Sequence, residues 1–176
     1  MNKAQLRKLY KNIRNNINNK AEKSLVINQK VISSQYFKQS NIIGLYVNIS
    51  SEVDTSLLIN ICLKDKVLAL PRVNGDTMDF YLINSINDLK EGSFHILEPK
   101  DYCQKIDVND LDLVIVPGIV FDHDNYRIGY GKGYYDKYLQ NYQHIAIGIA
   151  YSKQIVEHID HDEYDIKLID VYTEDD

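Results

Sequence analysis

Leu113-Val114-Ile115-Val116-Pro117-Gly118 is the stretch on which the fold turns. Four apolar residues, three of them β-branched, run without a polar break and stop at proline. A strand exposed on one face would alternate, so this one reads as buried on both faces, the habit of parallel sheets. Ile145-Ala146-Ile147-Gly148-Ile149-Ala150, Ile42-Ile43-Gly44-Leu45-Tyr46-Val47 and Val67-Leu68-Ala69-Leu70-Pro71 have the same character. The last of these is expected to stop at its proline.

Between the apolar runs lie helical patterns. Asp54 or Thr55 is placed to cap a helix reaching about residue 64. A helix is expected from about 132 to 141, and helical residues near 152–158. Upstream, Leu6, Leu9, Tyr10, Ile13 and Ile17 recur at three- and four-residue spacing over 3–19, and Lys3, Arg7, Lys11 and Arg14 form a second stripe on that helix. A further helix is expected over 21–38, using Leu25, Val26, Gln29, Ile32 and Phe37. Asn74-Gly75-Asp76 reads as a hairpin turn followed by alternating Met78, Phe80 and Leu82. Residues 86–100 look irregular, 118–130 reads as loop, and a last strand falls near 167–173. Strands alternating with helices predict a largely parallel, Rossmann-like sheet with helices on both faces. The expected unit is one three-layer domain over 1–176, with the helices of 1–38 packing on it.

Composition narrows the function. The 176 residues carry a formal net charge of −5, with 44% hydrophobic and 26% charged side chains, the profile of a globular domain. No apolar run approaches the roughly 20 residues that span a bilayer, and the polar start lacks a signal peptide's apolar core. Two cysteines, Cys62 and Cys103, make no disulfide framework. A cytoplasmic protein with no membrane or nucleic-acid partner is expected. Charge is uneven, however: residues 1–23 hold seven Lys/Arg and one acid. That stripe fits first a solvated helix face, and second a site for a small anion such as a nucleotide phosphate.

Rare residue types cluster in one place. Six of the 14 Tyr, three of the 8 Gly and one of only four Arg fall between 126 and 142. Gly129, Gly131 and Gly133 remove three side chains from five positions, so backbone N–H groups there could approach phosphate oxygens. Arg127 and Lys132 bring positive charge, and Asp136 is a hard oxygen ligand suited to Mg²⁺. The pattern is neither the Walker sequence nor GxGxxG. Spacing alone fits a phosphate cradle and a flexible turn equally, with Tyr134, Tyr135 and Tyr138 as helix core in the second case.

Pro117-Gly118, Phe121-Asp122 and Arg127-Ile128-Gly129-Tyr130-Gly131-Lys132-Gly133-Tyr134-Tyr135-Asp136 together resemble the signature of the 5-formyltetrahydrofolate cyclo-ligase family. The resemblance covers nearly the whole chain in order: Lys3-Ala4-Gln5-Leu6-Arg7, Ser51-Glu52-Val53-Asp54-Thr55, Glu91 to Pro99, and Gln154-Ile155-Val156. Asn125 and His95 stand where that family usually has Gly; Asn tolerates positive φ, so the turn at 125 can survive. In the C-terminal segment Asp160, Tyr164, Asp165 and Ile169 occupy the family's Pro, His-Asp and Asp positions, and only Asp165 fits.

The resemblance implies ATP- and Mg²⁺-dependent conversion of 5-formyltetrahydrofolate, with or without a polyglutamate tail, into 5,10-methenyltetrahydrofolate, releasing ADP and phosphate. It implies ATP contacts from Lys3, Ala4, Gln5, Leu6 and Arg7 and from Gly129, Tyr130, Gly131, Lys132, Gly133, Tyr134 and Tyr135. It implies folate contacts from Glu52 and Tyr135, and Mg²⁺ ligation by Asp136 and Asp165. Arg127 and Lys132 are the candidates for stabilising the transferred phosphoryl group. Apart from the resemblance, Glu52 could be a solvated loop carboxylate, Asp165 surface charge, and Arg72 either a site or a surface residue. A monomer or weak homo-oligomer is expected. The sheet pattern by itself suits a sugar-phosphate isomerase or a coenzyme A transferase as well; Glu52 and Tyr134-Tyr135-Asp136 discriminate.

Overall fold

The computed structural model describes residues 1–92 and 95–175. Ser93 and Phe94, in the middle segment of the resemblance, lie outside the described residues. At the centre is a seven-stranded sheet. Its parallel part is β1 (Ile42–Gly44), β2 (Val67–Asn74), β7 (Leu113–Val116), β10 (Ile145–Ile149) and β12 (Asp170–Tyr172). The antiparallel edge is β3 (Thr77–Ile83) and β6 (Lys105–Ile106). The spatial order is β12-β10-β7-β1-β2-β3-β6. All four residues of β7 are buried, as their unbroken apolar run requires.

Alternation along the strands sorts side chains to two faces. Ile43, Leu68, Leu70, Leu113, Ile115, Ile147 and Ile149 point to one face. There they meet Ile27 and Val31 of α2 (Lys20–Ser33), Phe37 of α3 (Gln35–Gln39) and Leu58 and Cys62 of α4 (Ser56–Asp65). Ala69, Phe80, Val114, Val116 and Ala146 point to the other, under Tyr134, Tyr135 and Tyr138 of α5 (Tyr134–Tyr138) and Leu139. These are the three expected layers. A smaller sheet of β8 (Val120–Asp122), β9 (Arg127–Ile128) and β11 (Ile155–Val156) lies beside them. On it rests α1 (Lys3–Asn15), through Leu6 and Tyr10 against Ile119, Val120, Ile128 and Ile159. Asn2 and Gln5 close a reciprocal capping box at the start of α1, at 2.8 and 2.9 Å.

Several boundaries depart from the sequence reading. The expected helix over 21–38 breaks at Ser34, whose extended backbone ends α2 while its hydroxyl caps α3. Pro71 does not stop β2. The Ala69 carbonyl accepts from Leu45, so residues 67, 69 and 71 present their polar backbone to the β1 side, and β1 has ended before Pro71 is reached. The span 86–100 contains the short hairpin of β4 (Leu89–Glu91) and β5 (Leu97–Pro99). The expected loop 118–130 contains β8 and β9, and the expected helix of 132–141 shrinks to α5. The helical stretch near 152–158 is a single turn at Ser152–Gln154 followed by β11. The predicted hairpin holds: Asn74 pairs Thr77 across a two-residue loop.

Gly148 packs closely against two core side chains. A Cβ there would lie 2.7 Å from the Phe121 ring and 3.0 Å from Leu168. Gly148→Ala should therefore cost about 1–3 kcal/mol through overpacking and lower the melting temperature by several degrees. An unchanged thermal unfolding curve would mean that the Phe121 ring moves aside freely.

Candidate active site

In strand order the chain reverses direction at β1, which has β2 on one side and β7 on the other. Ligands of open α/β sheets bind beyond the carboxyl ends of strands at such a point. Here the loop after β1 brings Ser51 and Glu52, and the loop after β7 brings Gly118. Beyond the β8–β9 hairpin come Gly129 to Gly133, and α1 crosses above.

One half of the site is cationic and glycine-rich. Arg7 donates from Nε to the Gly129 carbonyl at 2.8 Å, and a Cβ on Gly131 would meet the Arg7 guanidinium at 3.5 Å. Lys3 pairs with Asp165 at 3.1 Å. Lys3 and Arg7, four residues apart on α1, thus reach Asp165 and the glycine loop respectively. Gly131 and Gly133 have φ of 102° and 69°, backbone that side-chain-bearing residues adopt at a cost. With these turns in place the helix begins only at Tyr134. Five residues supply little dipole, so positive charge here comes from side chains.

Arg127 is the centre of this half. It is only 9% exposed, and its guanidinium makes no hydrogen bond or ion pair among the described residues. It lies 5.4 Å from the Tyr135 ring centre. Burial pulls its pKa down, and the fields of Asp136, Tyr135 and Asp165 oppose that. Asp136 accepts the Ile166 amide on Oδ1 at 3.2 Å. Asp165 accepts both Lys3 and the Asp162 amide on Oδ2. Burial would raise the Asp165 pKa, but the Asp162 amide, Lys3 and His161 outweigh it and hold the carboxyl below its ordinary value. Each carboxylate therefore keeps one oxygen outside these bonds. Hard oxygens on adjoining segments fit Mg²⁺, which commonly takes one or two protein carboxylates beside substrate phosphates.

The other half is aromatic and holds Glu52, which is 7% exposed. Its Oε1 accepts the Ile49 amide at 2.7 Å and its Oε2 accepts the Tyr130 hydroxyl at 3.1 Å. Burial pushes the Glu52 pKa up, against the Ile49 amide, Arg14 and Tyr130. Burial and the Glu52 charge also raise Tyr135, Tyr46 and Tyr130, the last to about 12, so all three stay phenols near neutrality.

The structure thus gathers Lys3, Arg7, Arg127, Gly129, Gly131, Tyr135, Asp136 and Asp165, and joins Glu52 to them through Tyr130. The other expected contacts lie in different surroundings. Lys132 is exposed, with no hydrogen bond or ion pair to a described residue. Gln5 is used in the cap, Leu6 packs on the small sheet and Ala4 is exposed. Tyr134 donates to the Gly75 carbonyl at 3.1 Å, toward the hairpin. Arg72 braces the Pro99 and Lys100 carbonyls and stacks on Tyr81. Two residues were not anticipated, Arg14 and Tyr46. Arg14 ends the cationic stripe, but it also lies four residues after Tyr10 and three before Ile17, at the border of the apolar stripe, and that spacing was the available signal. Asp122, Asp124 and His158 also lie together. The Asp122 oxygens, however, already accept the amides of Asp124, Tyr126 and Ile159 and hold the turn.

The 5-formyltetrahydrofolate cyclo-ligase family model matches residues 1–174. The mouse 5-formyltetrahydrofolate cyclo-ligase is 32% identical over 167 residues, covering 86% of this chain and 82% of the mouse protein. The Haemophilus influenzae enzyme is 30% identical over 177 residues, covering 96% and 94%. The solution structure of Aquifex aeolicus 5,10-methenyltetrahydrofolate synthetase superposes with a TM-score of 0.89 at 35% identity, over 100% of this chain and 91% of that one. The Mycoplasma pneumoniae synthetase gives 0.81 at 27% identity, over 99% and 100%. With a fold, a signature and full-length relatives in agreement, the chain is an enzyme belonging to the 5-formyltetrahydrofolate cyclo-ligase family.

Proposed function

We propose that this enzyme converts 5-formyltetrahydrofolate into 5,10-methenyltetrahydrofolate at the expense of ATP, with Mg²⁺ as cofactor. A formamide oxygen is a poor leaving group. In the proposed reaction it attacks the γ-phosphorus, the bond to the β-phosphate oxygen breaks and ADP departs, leaving an imidoyl phosphate. N10 then attacks the activated carbon, loses its proton, and phosphate leaves as the ring closes. The protein's task is to align two substrates and neutralise moving charge.

The observation that carries this reading is Arg127, a side chain 9% exposed whose guanidinium has no hydrogen-bond partner among the described residues. Its donors reach the surface of the site and are open to a ligand, and a phosphoryl group matches their fork. Lys3, Arg7 and the amides of Gly129 to Gly133 would hold the nucleotide. Glu52 would accept from N–H donors of the pterin, and Tyr135, between Arg127 and Glu52, would meet the folate. Lys132, exposed at the loop, is free to reach a phosphate in the complex. Asp136 and Asp165 would hold Mg²⁺, which supplies neutralisation of phosphate charge when bound.

Coupling should be stoichiometric: one ADP and one phosphate for each methenyl product. ATP hydrolysis without folate, or product formed without ADP, would overturn the proposal. Arg7→Ala should raise the KM for ATP about tenfold or more, the scale of one charge-assisted hydrogen bond, with kcat little changed. An unaltered KM for ATP would remove Arg7 from the nucleotide site.

A further inference from the structure

We propose that Arg14 is a positioning residue of the folate half-site: from α1 it ties the loops after β1 and β7 together and, through the Tyr130 hydroxyl, fixes the carboxylate of Glu52. The inference rests on the folate role proposed for Glu52.

Arg14 is 2% exposed, the one fully buried member of a cationic helix stripe in which Lys3 and Arg7 are half-buried and Lys11 Nζ lies 5.1 Å from the Tyr130 ring centre. It spends all three nitrogens inward. Nε donates to the Ser51 hydroxyl at 2.8 Å, Nη2 to the Tyr130 hydroxyl oxygen at 2.8 Å, and Nη1 to the Gly118 carbonyl at 3.4 Å. Among the described residues it forms no ion pair, so its charge is not cancelled by a contacting carboxylate. The Tyr130 oxygen accepts from Arg14, which leaves the phenolic proton to be donated onward, and its acceptor is Glu52 Oε2 at 3.1 Å. Arg14, Tyr130 and Glu52 form a donor relay whose last bond is strongest while Glu52 is ionised.

The groups facing Glu52 are Arg14 from α1, Tyr130 from the glycine loop, Tyr46 beyond β1 and Tyr135 from α5. Only Arg14 is charged, and it opposes the burial that would neutralise Glu52. Removing it, or the phenolic link, raises the Glu52 pKa further. A group with a raised pKa is protonated at higher pH, so the acidic limb of kcat/KM for folate should move upward in pH.

The test is the pH profile of kcat/KM for 5-formyltetrahydrofolate in the wild-type enzyme, Arg14→Gln, Arg14→Lys and Tyr130→Phe, with the KM for ATP measured alongside. Arg14→Gln and Tyr130→Phe should raise the KM for folate about 10–100-fold near neutrality. Their acidic limbs should lie at higher pH and the deficit should shrink as pH rises, while the KM for ATP stays near wild type. Arg14→Lys keeps the charge and should leave the limb in place while still raising the KM for folate. Unshifted limbs in Arg14→Gln and Tyr130→Phe, at whatever activity, would make Arg14 a brace only and overturn the inference. If Arg14→Gln does not fold, Tyr130→Phe, which retains the bonds to Ser51 and Gly118, tests the link to Glu52, and an unshifted limb there overturns the inference. An inactive wild-type enzyme strikes the proposed function instead; an active one with unshifted limbs strikes only the role of Arg14.

Discussion

Arg127→Met should lower kcat by about 10²–10³-fold, the scale of losing one preorganised donor to a developing negative charge, and should leave the protein as stable as before or more so. The two halves of that expectation have one cause. The guanidinium has no hydrogen-bond partner among the described residues, so the fields of Asp136 and Asp165 and the Tyr135 ring offset its desolvation only in part until a phosphoryl group arrives. Met has similar length and can keep the stem's packing where the Arg127 side chain passes Gly118. A buried charge replaced by a well-packed apolar group is often neutral or stabilising. Steady-state kinetics beside a thermal melt separates the outcomes. A clear loss of stability with activity kept would mean that Arg127 is structural.

Asp136→Ala should abolish measurable turnover while the fold survives, because it removes the carboxylate proposed to bring Mg²⁺ to the nucleotide. Ala also deletes the acceptor of the Ile166 amide, at a cost near 1 kcal/mol, so a modest fall in melting temperature is expected. Asp136→Asn separates the effects, since it retains an acceptor for Ile166 and loses the charge. It should melt near the wild-type temperature and still lose about 10³-fold in kcat, with half-maximal activity displaced to higher Mg²⁺. Undiminished turnover in either variant would reject the metal role, and an unshifted Mg²⁺ dependence would assign the loss to the field around Arg127.

How far the sequence could be read follows from where its information lies. Buried parallel strands are written as continuous apolar runs, and β7, β10, β1 and β2 were legible for that reason. The β8–β9 hairpin was not. Its strands have three and two residues, and the turn is held by Asp122 accepting amides from 124, 126 and 159, a tertiary arrangement without a local pattern. Pro71 misled because its tolerance depends on where β1 ends. Asn125 and His95, where the family favours Gly, both adopt positive φ, 68° and 61°. The backbone conformation thus outlasts the glycine that usually serves it.

The candidate site divides in the same way. Its phosphate half was visible because three glycines, an Arg and an Asp are compressed into ten residues of a chain poor in Gly and Arg. Arg14 and Tyr46 were hidden for opposite reasons. One is a cation in a stripe of cations, the other an aromatic in a run of core residues, and only the path of α1 over Ser51, Gly118 and Tyr130 brings Arg14 inside.

The most direct measurement is the absorbance of the methenyl product formed from 5-formyltetrahydrofolate by the purified, folded enzyme, with ATP and Mg²⁺ supplied together, singly and not at all. The account predicts growth of that absorbance only when both are present. No growth with both present, or growth without ATP, would contradict it.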